Sequence, residues 1–125
     1  MPTFANYING EWIAGGKTFE NRNPATGELV GLHAKGSAED MEKAAEAAGA
    51  AFAGWSAMPA PARGAILFKA ADLLDKQFDQ LGEEMTREEG KTLPEAKGEV
   101  RRSINILRYF AGEGSRLNGL MVPSE

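Results

Sequence analysis

A chain of the α/β class, with a hairpin and short strands first and about four helices after them, is what three observations predict. Turn chemistry is concentrated before residue 36, in Asn9-Gly10, Gly15-Gly16 and Asn23-Pro24-Ala25-Thr26-Gly27. From Ser37 onward the apolar residues recur at three- and four-residue spacing, the period of a helix. Two capping patterns, Ser37 with Asp40 and Thr92 with Glu95, mark where helices begin.

Tyr7 to Trp12 reads as strand, turn, strand, because aromatic and β-branched residues flank an Asn-Gly pair that tolerates the positive φ angles of a tight hairpin. Gly15-Gly16 marks a second turn, and Lys17 to Asn21 alternates weakly. Asn23 to Gly27 combines an Asx residue, a proline and a glycine, the composition of a loop, ahead of a short strand from Leu29 to Ala34.

Ser37 caps an alanine-rich helix in which Glu39 and Lys43 form an i,i+4 pair and small side chains allow another element to approach closely. Pro59 and Pro61 close the Trp55–Met58 connector and sit where the next helix starts. Ile66, Ala70, Leu73, Leu74, Phe78 and Leu81 then recur at helical spacing, with an Asp72–Lys76 pair on the outer face. Glu83 to Lys91 is a charged run that reads as a solvated helix face, with Glu83 and Arg87 as a further i,i+4 pair. Gly90 ends that helix. The longest helix begins near Thr92, with Pro94 in its first turn and Val100, Ile104, Leu107 and Ala111 along one stripe, Ile106 and Phe110 beside it.

Composition narrows function. The chain has 125 residues, 42% of them hydrophobic, a core-forming proportion, and a net charge of −4 that supplies no basic face for nucleic acid. No apolar run reaches membrane-spanning length and no secretory signal is visible at the start, so the expectation is a cytoplasmic protein without a membrane partner. The absence of cysteine removes disulfides, thiolate catalysis and sulfur-ligated zinc together. His33, the only histidine, reads as a structural or surface residue of a strand. Gly90-Lys91-Thr92 has the ending of a phosphate-binding loop, but Met85 stands where the first glycine belongs. The glutamate pairs Glu83/Glu84 and Glu88/Glu89 have no apolar surroundings in sequence to raise a pKa for acid-base work.

Two segments with no local chemistry in common carry more. Asn23-Pro24-Ala25-Thr26-Gly27-Glu28 and Glu88-Glu89-Gly90-Lys91-Thr92-Leu93-Pro94-Glu95-Ala96-Lys97-Gly98-Glu99-Val100, in that order, resemble the amino-terminal region of NAD(P)-dependent aldehyde dehydrogenases. Tyr7 to Trp12 and Leu107-Arg108-Tyr109-Phe110-Ala111-Gly112 extend the resemblance over nearly the whole chain. Within the family, Thr92 to Glu99 together with Ile106 to Gly114 is most similar to α-ketoglutarate semialdehyde (2,5-dioxopentanoate) dehydrogenases, and next to succinate-semialdehyde dehydrogenases.

The resemblance implies the aldehyde dehydrogenase-like α/β fold and a longer parent enzyme, a homo-oligomer that oxidises a small aldehyde with NAD or NADP through a cysteine thioester. Residues 1–119 would be the amino-terminal part of its dinucleotide-binding domain and 120–125 the start of the strand leading to an oligomerisation arm. The thiolate and the cofactor site would lie beyond Glu125, so this chain alone would be inactive and bind no cofactor. Many family members hold a monovalent cation with backbone carbonyls, which carried over here are those of Arg22 and Glu88; members more often have an apolar residue at the Arg22 position. The helix after Thr92 lines part of the substrate entrance in such enzymes, which makes Arg101, Arg102 and Ser103 candidates for substrate contact. A plain surface role for Arg101 and Arg102, paired with Glu99 and its neighbours, stays open beside this. So does a different reading of the whole, a stand-alone, non-catalytic helical interaction module.

Overall fold

The computed structural model describes residues 2–120. Five strands come first: β1 (Thr3–Phe4), β2 (Asn6–Ile8), β3 (Glu11–Ile13), β4 (Thr18–Arg22) and β5 (Leu29–Ala34). Four helices follow: α1 (Ala38–Ala57), α2 (Ala60–Lys76), α3 (Phe78–Glu89) and α4 (Leu93–Glu113). The strand-then-helix order matches the expectation, and α4, at 21 residues, is the longest helix by one residue over α1. Residues 121–125, most of the segment assigned to the arm strand, lie outside the described residues, and Leu120 belongs to no element.

The β2–β3 hairpin turns on Asn9 and Gly10, whose φ angles are 51° and 82°, so the twist of the turn suits the strands it joins. The other three strands form a sheet in the order β1-β5-β4, with β1 parallel and β4 antiparallel to β5. Its register sets Phe4, His33 and Phe19 side by side across the three strands, and a bulge at Asn21/Arg22 lets the chain leave the ladder for the Asn23–Gly27 loop.

Ser37 and Asp40 cap α1 reciprocally, the Ser37 N–H donating to Asp40 (2.8 Å) and the Asp40 N–H to the Ser37 hydroxyl (3.1 Å). The Glu39–Lys43 pair forms at 2.7 Å. The alanine-rich helix nevertheless buries none of its residues: Met41 and Phe52 are about as exposed as a surface lysine would be, Phe52 at 67%. Alanine favours the helical backbone without needing burial, so composition predicts the helix but not what it packs on.

The core lies between α2, α3 and α4. Ala71, Val100 and Ile104 are buried there, with Leu74, Phe78, Leu81, Met85 and Leu107 packed around them. The apolar run expected as one stripe is broken at Gln77 into α2 and α3, and Ile66 and Leu73 stay outside. The buried positions of α2 are instead Gly64 and Ala71, seven residues apart. Small residues there let the α4 backbone come close, and that approach decides which flank of the stripe faces inward.

Two expected local ion pairs are replaced by longer-range ones. Asp72 pairs with Arg108 of α4 at 2.9 Å rather than with Lys76, and Arg87 pairs with Glu28 at 3.2 Å rather than with Glu83. An arginine fork reaching a second element gains planar hydrogen-bond geometry that neighbouring turns of one helix do not provide. At the centre of the α2–α4 seam, Asp75 accepts from Arg101 (2.7 Å) and Arg108 (2.9 Å). Those two bonds, Arg101 first, hold the Asp75 carboxyl below the usual carboxylate range. A carboxylate depressed in the folded state adds stability above its unfolded pKa of about 4 and loses it as pH falls through the lower folded value. Asp75→Asn is therefore expected to lower the melting temperature more near pH ~7 than in acid, where the carboxylate takes up its proton. Thermal melts of the two proteins followed by circular dichroism check this; an equal deficit at both pH values would show that the seam does not depend on the charge.

Among the described residues, no helix is long and apolar enough to cross a membrane.

Candidate functional site

The two sequence segments that carry the family resemblance meet in space. Asn23 is buried and organises its own loop: its N–H donates to the Glu28 carbonyl (2.9 Å), its carbonyl accepts from Gly27 (2.8 Å) and its side-chain Oδ1 accepts from the Ala25 N–H (2.9 Å). Proline and glycine fit around these bonds, since Pro24 needs no donor and Gly27 takes φ 74°. Arg22 turns along the sheet edge, donating to Glu20 (2.9 Å) and to the Gly27 carbonyl (3.1 Å).

The end of α3 rests on this loop. Gly90 terminates the helix at φ 74°, and a Cβ there would stand 2.8 Å from Pro24 and 3.1 Å from the Ala25 nitrogen. Only glycine meets both demands. Side chains add two ties, Asn21 Nδ2 to Glu88 at 3.2 Å and Arg87 to Glu28 at 3.2 Å. The segments ending in Arg22 and containing Glu88 are thus neighbours.

Gly90, Lys91 and Thr92 have three separate structural tasks. Lys91 bridges Glu89 (2.5 Å) and Glu99 (2.6 Å), and those bonds, Glu89 first, hold its ammonium charged to higher pH than usual. Thr92 starts α4, its N–H (3.2 Å) and hydroxyl (2.6 Å) both donating to Glu95. With its lysine held by two carboxylates and its glycine closed against Pro24, this run offers no cradle to a phosphate.

Of the three candidate residues for substrate contact on α4, Arg101 and Arg102 border one hollow and Ser103 a separate groove. Arg101 is committed to the α2–α4 seam: it pairs with Asp75 at 2.7 Å and lies over the Phe78 ring at 4.4 Å, not beside Glu99, which Lys91 takes. Arg102 is exposed, has no ion-pair partner among the described residues and edges an open hollow of about 470 Å³ with Asn105, Ile106, Tyr109 and Phe110. Ser103 faces a separate groove of about 330 Å³, beside Leu74, Met85, Val100 and Glu88. Asn105 and Tyr109 escaped the sequence reading, although their offsets of three and seven from Arg102 place them on its helix face. Asn21 and His33 were missed for a different reason: their meeting depends on the β4–β5 register, which no local pattern states.

The described residues thus build a scaffold of the α/β class. The chain belongs to the aldehyde dehydrogenase family, whose model matches residues 12–125. It is 44% identical over 125 residues to the α-ketoglutaric semialdehyde dehydrogenase of Bacillus subtilis, an alignment that spans 98% of this chain and 26% of that protein. Among solved structures, succinate-semialdehyde dehydrogenase from Burkholderia pseudomallei superposes with a TM-score of 0.91 at 42% identity, over 97% of this chain and 26% of that one. An NAD-dependent benzaldehyde dehydrogenase from Corynebacterium glutamicum superposes with a TM-score of 0.86 at 32% identity, over 94% and 26%. The chain thus spans about a quarter of the length of the relatives it matches, their amino-terminal quarter.

Proposed function

We propose that this chain is the scaffold and entrance-helix segment of an NAD(P)-dependent dehydrogenase that oxidises an aldehyde bearing a carboxylate at its far end. Support for the substrate class comes from the relatives named for α-ketoglutaric and succinate semialdehydes, both of which carry such a group. The observation that carries the reading on this chain is the contrast between the two arginines: Arg101 is spent on Asp75 and Phe78, and Arg102 stands free beside Asn105 and Tyr109. A guanidinium without an internal partner matches a carboxylate with two parallel donors. Arg102 is thus the substrate contact, Ser103 a secondary one, and Arg101 a positioning residue that fixes α4 on α2.

NAD(P)+ would accept the hydride in such a reaction. With no cysteine among its 125 residues, this chain does not supply the thiolate. We further assign residues 1–119 to the dinucleotide-binding domain and 120–125 to the approach to an oligomerisation arm. The carbonyls of Arg22 and Glu88 would share a monovalent cation, with the Arg22 charge balanced by Glu20 at 2.7 Å. Homo-oligomerisation is supported by apolar residues of α1, Met41, Phe52 and Trp55, that stay exposed.

The test joins this chain to the remaining three quarters of the Bacillus subtilis relative and assays the hybrid. Arg102→Ala is expected to lower kcat/KM for succinate semialdehyde by about 10- to 100-fold, the loss of one charge-assisted hydrogen-bonded contact, while propanal oxidation stays within about twofold. An equal loss on both aldehydes, or none on either, would remove Arg102 from substrate recognition.

A further inference from the structure

We propose that His33, Asn21 and Glu88 form a proton-sensitive clip that fastens α3 to the sheet. Asn21 Nδ2 lies 3.3 Å from His33 Nε2 and 3.2 Å from Glu88 Oε1. Glu88 fixes what that nitrogen is: a carboxylate accepts only, so the amide must present its NH2 there and not its oxygen. With one N–H on Glu88, the other points at His33, and Nε2 must meet it with a lone pair. The proton of the neutral ring therefore sits on Nδ1, opposite to the tautomer that free histidine favours. Stacking holds the ring in this pose, its centroid 4.7 Å from that of Phe4 and 5.6 Å from that of Phe19.

Protonation adds a hydrogen at Nε2, directly facing the Asn21 NH2. Asn21 then has to rotate its oxygen toward the imidazolium, which also turns that oxygen toward the Glu88 carboxylate, and the Asn21–Glu88 bond is lost. The charged groups that face the ring come from both α3 and the sheet. From α3, Glu84, Arg87 and Glu88 border the same hollow as His33; Glu84 accepts from Gln80 (2.8 Å), and Arg87 is balanced by Glu28. From the sheet, β1 contributes Phe4, and β4 contributes Phe19 and Asn21, with Glu20 and Arg22 paired to each other. What remains after opening is the Arg87–Glu28 pair and the seat of Gly90 on Pro24 and Ala25. Acid thus loosens the Asn21–Glu88 tie and leaves these two in place.

His33 is the only histidine, so the imidazole nitrogen spectrum of the 15N-labelled chain is the spectrum of this one residue. Near pH 8 the Nδ1–H form is expected to dominate. In Glu88→Gln, whose side-chain amide lets Asn21 turn either way, the Nε2–H share is expected to rise about tenfold. On acidification, the Asn21 side-chain NH2 resonances are expected to move on the same curve as the imidazole, and to lose that inflection in His33→Gln. An Nε2–H ring near pH 8, a tautomer ratio indifferent to Glu88→Gln, or Asn21 resonances that ignore the charge on His33 would each overturn the clip.

Discussion

Replacing Ile104 by alanine is expected to remove about 2–5 kcal/mol of stability. Ile104 is fully buried at the centre of the cluster it forms with Ala71 and Val100, where three helices meet. Deleting its branched side chain takes away the buried apolar area and leaves a space that α2 and α4 cannot readily close, because Gly64 and the Ala111 carbonyl already bring their backbones into contact about two turns along. Domains of ordinary size hold about 5–15 kcal/mol in total, so this one change would bring the chain near its unfolding threshold. Two residues along, Ile106 lies 44% exposed, and Ile106→Ala is expected to shift stability by no more than about 0.5 kcal/mol. Urea titrations of both variants measure the difference; comparable losses would mean that the inward face of α4 has been misassigned.

Gly64→Ala is expected to destabilise the chain by about 1–3 kcal/mol, against the helix-forming preference of alanine. A Cβ at position 64 would overlap the Ala111 carbonyl oxygen, a backbone atom that moves only if α4 moves. Gly98 provides the contrast within α4, since a Cβ there meets nothing within 4 Å. Gly98→Ala is expected to stabilise by up to about 1 kcal/mol, the ordinary gain in helix propensity. Opposite signs for two glycine-to-alanine changes, read from thermal melts, isolate the close approach of α2 and α4 as the cause. A stabilising Gly64→Ala would show that the two helices are not in contact there.

Local chemistry made some parts of this fold legible in the sequence and left others hidden. The hairpin at Asn9-Gly10, the caps at Ser37 and Thr92, and the stop at Gly90 each follow from one backbone or hydrogen-bond requirement met by one residue type. The inward face of α2 was hidden because its buried residues, Gly64 and Ala71, are small, and a hydrophobic pattern gives weight to large ones. Arginine partners were hidden because Asp75 and Arg101 stand 26 residues apart, and Glu28 and Arg87 stand 59 apart, beyond any periodicity. At the candidate site, the sequence named one helix and two neighbouring arginines on it. Separating Arg101 from Arg102 needed the seam with α2, which ties one and leaves the other free.

The central claim is that residues 1–125 build scaffold and approach path while the reacting groups lie outside them. Its most direct test is an assay of the purified 125-residue chain with propanal and succinate semialdehyde, each with NAD+ and with NADP+. The account predicts no reduction of either cofactor above a protein-free control, since no cysteine is present to form the thioester. Reproducible NADH or NADPH formation that follows the chain through successive purification steps would contradict it.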